Sequence, residues 1–195
     1  MSLRKRTPGS GTARPARAIR MYLTQALYLG VQLHPDRVAM RYGGRQHTFR
    51  ELVDRVARLA GALQALGMEP GGRVAMLSLN SDRYLEYQMA VPWGGGVLNP
   101  CNTRWSTAEL AYSLDDSGAT ILLVDDAFCA QSDEIRRRSS ALRQVVYCGD
   151  GALPSGMHGY ESLLARARRC LMRCAEVKTW PASFIPAVRR VFQRV

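Results

Sequence analysis

Apolar positions between Phe49 and Leu66 recur at steps of three and four: Phe49, Leu52, Val53, Val56, Leu59, Ala60, Leu63 and Leu66. That period places them on one face of a helix. Thr48 and Glu51 form the capping-box pair at its start, and Gly67 supplies a stop that tolerates the left-handed conformation. Met21 to Leu33 predicts a shorter amphipathic helix through Leu23, Ala26, Leu27 and Val31. Val38–Tyr42, a Gly43-Gly44 turn and Arg45–His47 read as a hairpin. Beyond Pro70-Gly71-Gly72, "RVAMLSL" is a short apolar run without full alternation, as in a strand buried on both faces. Asn80-Ser81 can cap a helix through Tyr84, Tyr87, Met89 and Val91 that closes at Gly94-Gly95-Gly96. Val97-Leu98 is a short strand. Ser106 and Glu109 form a second capping box, for a helix that Ser117-Gly118 ends. "ATILLVDD" and "QVVYC" are strands, with a helix over Glu134–Arg138 between them. Strands alternate with helices, so the fold class is α/β with a mostly parallel sheet and flanking helices.

Charge sharpens the domain picture. The chain has 195 residues, is 47% hydrophobic and carries a formal net charge of +11. Residues 1–20 hold six Lys or Arg and no acid; residues 166–195 hold eight and one Glu. The stretch 21–165 holds 13 basic and 15 acidic residues. The basicity therefore sits in the two ends, and neither end interleaves aromatics with its charges as a nucleic-acid platform would. No nucleic-acid partner is expected. There is no run of 18 apolar residues and no apolar segment after Arg4-Lys5-Arg6, so neither a transmembrane segment nor a signal peptide is expected. The Arg-rich start could imitate a mitochondrial transit peptide, but Pro8, Gly9, Gly11 and Pro15 interrupt an amphipathic helix. A disordered basic leader over 1–20, upstream of Met21, is the preferred reading. Five scattered cysteines, Cys101, Cys129, Cys148, Cys170 and Cys174, read as reduced thiols in the cytoplasm.

Candidate chemistry is sparse. Cys170 and Cys174 form a lone C-x3-C with no second pair to complete a zinc site. His34, His47 and His158 stand apart, in no ligand or triad spacing. Gly94-Gly95-Gly96 follows a helix and precedes a strand, the reverse of a phosphate-binding glycine turn; closing the helix and allowing close packing is the better reading. Asp125-Asp126 lies at a strand's C-terminal end, where α/β proteins place ligand groups and where ordinary loops also begin. Arg136-Arg137-Arg138 reads as a solvated face. No catalytic, cofactor-binding or metal-binding residue can be named from these patterns.

Several ordered blocks carry a resemblance. "HTFRELVDRVARLAGALQALGMEPGGRVAMLSLNS" and "YLEYQMAVPWGGGVLNPCNTRWSTAELAYSLDDSGATILLVDD" resemble the N-terminal part of AMP-forming acyl-CoA synthetases, in the adenylate-forming superfamily. The landmarks are Thr48-Phe49 with Glu51-Leu52, Pro70 to Val74, Asn80-Ser81, and Asn99-Pro100 to Ser117-Gly118. They cover about Met21 to Leu164, and Asn99 to Arg104 looks closest to the fatty-acyl branch. The resemblance implies the N-terminal portion of an AMP-binding synthetase domain over 21–165. It implies ATP, Mg2+ and CoA as cofactors, and a carboxylic acid, a long- or medium-chain fatty acid, as substrate. In that family a loop of the type TGGTTGxPKG meets the triphosphate with backbone N–H groups and a Lys. A magnesium-binding acid and a catalytic Lys come later.

The stretch "FIPAVRRVFQRV", Phe184 to Val195, stands where that loop is expected. One permitted set of codons for Ile185 to Val195, read one base earlier, spells TGGTTGFPKG. Upstream, the same shift permits APVPDALRGGEDLAGIFYT from Ala167 to Ile185. The expectation is a frameshift near Arg166, with 166–195 an aberrant tail, no tight binding of the cofactors, and no activity from this chain alone. Two alternatives stand beside it: a non-enzymatic interaction protein that uses its basic termini, and an unrelated small α/β enzyme with no visible site.

Overall fold

The computed structural model describes residues 24–171, so both basic ends, the leader over 1–20 and the tail from Met172 onward, lie outside the described residues. Helix α1, Gln25–Leu33, leads into an antiparallel hairpin of β1, Val38–Tyr42, and β2, Arg45–Thr48. Helix α2, Phe49–Ala65, follows. Then come β3, Arg73–Leu77; α3, Asp82–Trp93; β4, Val97–Pro100; α4, Thr107–Ser117; and β5, Ile121–Val124. A 3-10 turn at Cys129–Gln131 runs into α5, Ser132–Arg138, and the chain continues through β6, Gln144–Tyr147, β7, His158–Gly159, and α6, Tyr160–Arg166. The α/β class and the mostly parallel sheet read from the sequence are what the structure shows. Strand β7, helix α6 and the 3-10 turn were not foreseen.

The main sheet has five parallel strands in the order β4-β3-β5-β6-β7. The apolar run of β3 lacks alternation because both faces are covered. Val74 and Met76 join one core with Ile121, Leu123 and Val146, under α1, α2, α3 and α6. Ala75 and Leu77 join the other with Leu122, Val124 and Val145, under α4 and α5. Successive side chains point to opposite faces, so each strand feeds both cores in turn. The result is a three-layer sandwich.

Both capping boxes form. The Thr48 hydroxyl accepts from Glu51 N while the Glu51 carboxylate accepts from Thr48 N; Ser106 and Glu109 repeat the arrangement. Gly118 closes α4 at φ 66°, a left-handed cap that suits glycine. The last described segment turns back over α2 beyond α6. There Cys170 N donates to Ala57 O at 2.9 Å, and Trp93 Nε1 donates to Cys170 O at 3.0 Å.

Candidate functional site

The chain leaves β3 for β4 on one side of the sheet through α3, then crosses to β5 on the other side through α4. The crevice between the carboxyl ends of β3 and β5 is therefore the topological switch point, where open α/β sheets bind ligands. A cavity of about 210 Å3 lies there, with Tyr42, Arg45, Asp82, Arg83, Asp126 and Asp150 among its lining.

Each charged group in the crevice already has a partner. Asp125 bridges the switch point, accepting from Ser78 Oγ at 3.1 Å and Leu79 N at 2.8 Å. Asp126 accepts from the Tyr147 hydroxyl, Asp150 N and Gly151 N, so it shapes the 149–151 loop. The Tyr147 bond, followed by the two backbone donors, holds the Asp126 carboxyl below its usual range. Burial and that same bond push the Tyr147 phenol up to about 12. Arg45 reaches from β2 to clamp Asp82 with two bonds, 2.6 and 2.9 Å, and meets Asp150 at 2.7 Å. Burial raises the cost of a charged Asp82, but the hydrogen bond and charge of Arg45 outweigh it and keep this carboxyl ionised. Arg83, in the first turn of α3, donates to Cys148 O, Gly149 O and Asp150, and pairs with Glu161. A second cluster adjoins the crevice. Arg55 pairs with Glu86 and Glu161, and the Tyr160 hydroxyl donates to Glu86 at 2.6 Å.

This arrangement fastens elements together. Ser78 and Ser81 spend their hydroxyls on the backbone and on Asp125. Burial pushes the Cys148 thiol up to about 12 and the Cys101 thiol up to about 11, so neither is a thiolate near neutrality. The His158 ring meets the Gln144 side chain at 2.8 Å. Among the described residues no group of three or more His, Cys, Asp or Glu could hold a metal ion. Nor do the residues fit a nucleotide. The cavity is smaller than the several hundred Å3 a ligand of that size fills, and both guanidiniums are neutralised. Gly94 caps the C-terminal end of α3, and a Cβ on Gly96 would meet Met68 Sδ at 2.6 Å. The glycine triad thus closes a helix and lets the chain pass close to Met68.

The structure brings Asp125 and Asp126 into the crevice but uses both to organise loops. It leaves Arg136–Arg138 on α5, where Arg138 pairs with Glu134 one turn back. The paired groups Arg45, Arg55, Asp82, Arg83 and Glu86 escaped sequence reading. One signal was available: Asp82, Arg83 and Glu86 interrupt the buried face of α3 that Tyr87, Ala90 and Val91 continue.

The fold is thus a doubly wound, three-layer α/β domain. Residues 29–171 match the family described as AMP-binding enzyme, and the chain belongs to that family. It is 45% identical over 92 residues to feruloyl-CoA synthase of an Amycolatopsis species, covering 47% of this chain and 19% of that protein. It is 36% identical over 129 residues to long-chain-fatty-acid–CoA ligase of Thermus thermophilus, covering 65% and 24%. A benzoate CoA ligase structure from Burkholderia xenovorans shares the fold, with a TM-score of 0.68 at 21% identity, over 78% of this chain and 30% of that one. The matches span about a fifth to a quarter of the length of these two relatives. Among the described residues no helix is long and apolar enough to cross a membrane.

Proposed function

We propose that this chain is the N-terminal part of a cytoplasmic AMP-forming acid–CoA ligase. The complete enzyme would join ATP and a carboxylic acid into an acyl-adenylate, with Mg2+ present, and pass the acyl group to CoA. The observation that carries the reading is the family match over residues 29–171. The relatives' names point to ferulate and to long-chain fatty acids; a carboxylate on a hydrophobic body is common to both. A long- or medium-chain fatty acid is the first substrate to try.

The polypeptide as it stands is expected to be inactive, because among the described residues the crevice guanidiniums of Arg45 and Arg83 are already paired and no glycine turn is suited to a triphosphate. The out-of-frame reading of 166–195 is part of this proposal. Two proteins test it: the chain itself, and a chain extended in the shifted frame. Pyrophosphate release is followed with ATP, CoA, Mg2+ and a panel of acids. The extended chain should turn over and the short one should not. Turnover by the short chain would refute its inactivity; silence of the extended chain on every acid would refute the ligase reading. Nucleotide sequence from the codon of Tyr160 to beyond that of Val195 decides the frame directly.

A further inference from the structure

Strand β1 uses one edge only. It pairs with β2, and among the described residues Val38–Tyr42 make no backbone hydrogen bond to any other element. A two-stranded hairpin is marginal alone, and an open edge is a template for another strand. A shallow groove of about 460 Å3 is lined by Arg37, Val38, Ala39, Met40 and Arg41. No β2 residue lines it, which puts it on the free side. Arg37 and Arg41 are exposed and make no ion pair among the described residues.

We infer that this edge docks an extended, carboxylate-bearing segment supplied by the part of the ligase that follows the matched region in its longer relatives. The inference rests on the proposed function. Main-chain bonds to β1 would supply affinity, and the two guanidiniums would select acidic side chains. The other occupants fit less well. A second copy would set Arg37 and Arg41 against the same cations. Residues 1–23 carry six Lys or Arg and no acid, and residues 172–195 carry five and a single Glu. Cations at a sheet edge deter self-pairing, which suits a strand built for a different partner. Three quarters or more of each named relative's length lies outside the match and is available to provide the segment.

The test fuses this chain after Arg166, where the out-of-frame reading begins, to the following part of the Thermus thermophilus ligase and compares amide exchange with that of the chain alone. Exchange within Val38–Tyr42 should slow by about tenfold or more in the fusion. Arg37→Glu with Arg41→Glu should reverse that protection while Leu59–Leu63 stay unchanged. Equal exchange at β1 in both proteins, with α2 protected in both, overturns the inference. A protected edge in a fusion without ligase activity sinks the functional reading and leaves this one standing; an active fusion with an unprotected edge does the opposite. Should the fusion fail to fold, the full chain is titrated with a short extended peptide alternating Val and Glu, and with its Val and Lys counterpart. Shifts of the β1 amides with the Glu peptide alone support the docking surface. No shift with either, shifts with both, or shifts with the Lys peptide alone overturn it.

Discussion

Glu86 is fully buried on α3, and three bonds make that tolerable: Arg55 Nε at 2.5 Å, Arg55 Nη2 at 3.1 Å and the Tyr160 hydroxyl at 2.6 Å. Removing one partner of a buried ion pair strands the other, at about 3–5 kcal/mol. Glu86→Ala should lower unfolding free energy by about that much in urea titration. Tyr160→Phe deletes one hydrogen bond to a charged acceptor and should cost about 2 kcal/mol. Equal losses would show that the carboxylate is not the hub. Gly61 offers a test of opposite kind. Helix propensity alone makes Gly→Ala favourable by about 1 kcal/mol in a helix interior. Here a Cβ would collide with the Arg168 carbonyl, which belongs to the segment lying across α2. Gly61→Ala should therefore destabilise by about 1–3 kcal/mol, as overpacking does. A higher thermal midpoint would mean that residues 167–170 can lift away freely.

Elements divide by where their stability comes from, and that division decides what the sequence could disclose. Helices α2 and α4 carry capping boxes, so their starts are written in four residues each. Thr48→Ala should cost about 1 kcal/mol by chemical denaturation; an unchanged midpoint would show that packing alone holds the first turn. Helix α6 is different. Gly159 at its N-cap makes no side-chain bond, and the helix has seven residues. It is held from outside, by Arg55 on Glu161 and by Glu86 on Tyr160. Nothing local announces it, which is why it was invisible in the sequence, as was β7 with two paired residues. Arg55→Ala should consequently speed amide exchange across Tyr160–Arg166 while the middle of α2 keeps its protection. Uniform loosening would contradict the division. The candidate site was legible only in part, for the same reason. Asp125-Asp126 stood out by position at a strand end. Their partners Ser78, Leu79, Tyr147 and Asp150 lie some 20 to 50 residues away in sequence, and only strand order brings them together.

At the scale of the whole molecule these contacts share a dependence on ionised carboxylates. Asp126, Asp115 and Glu51 are held below their ordinary range by hydrogen bonds, first among them Tyr147 for Asp126, Ser139 for Asp115 and Thr48 N for Glu51. For Asp82 and Glu161 burial opposes ionisation, but bonds from Arg45 and Arg55 respectively outweigh it. In each case the folded chain binds a proton less readily than the unfolded chain, whose carboxyls titrate near about 4. Stability from these groups is therefore fully present above that value and is lost as pH falls through the depressed folded values. The losses are not spread evenly. Asp82 ties the hairpin to α3 and Glu161 ties α6 to α2 and α3, whereas residues 74–77 of β3 and all of β5 are apolar and carry no carboxylate of their own. Acid should first free β1–β2 and α6 and only later open the sheet. Amide exchange read at several pH values below 5 would show it, with protection at Arg45–Thr48 and Tyr160–Arg166 lost ahead of that at Val74–Leu77 and Ile121–Val124. A single cooperative loss of all four segments would mean that the clamps and the cores unfold as one unit, and that the ion pairs contribute to global stability without defining a separable layer.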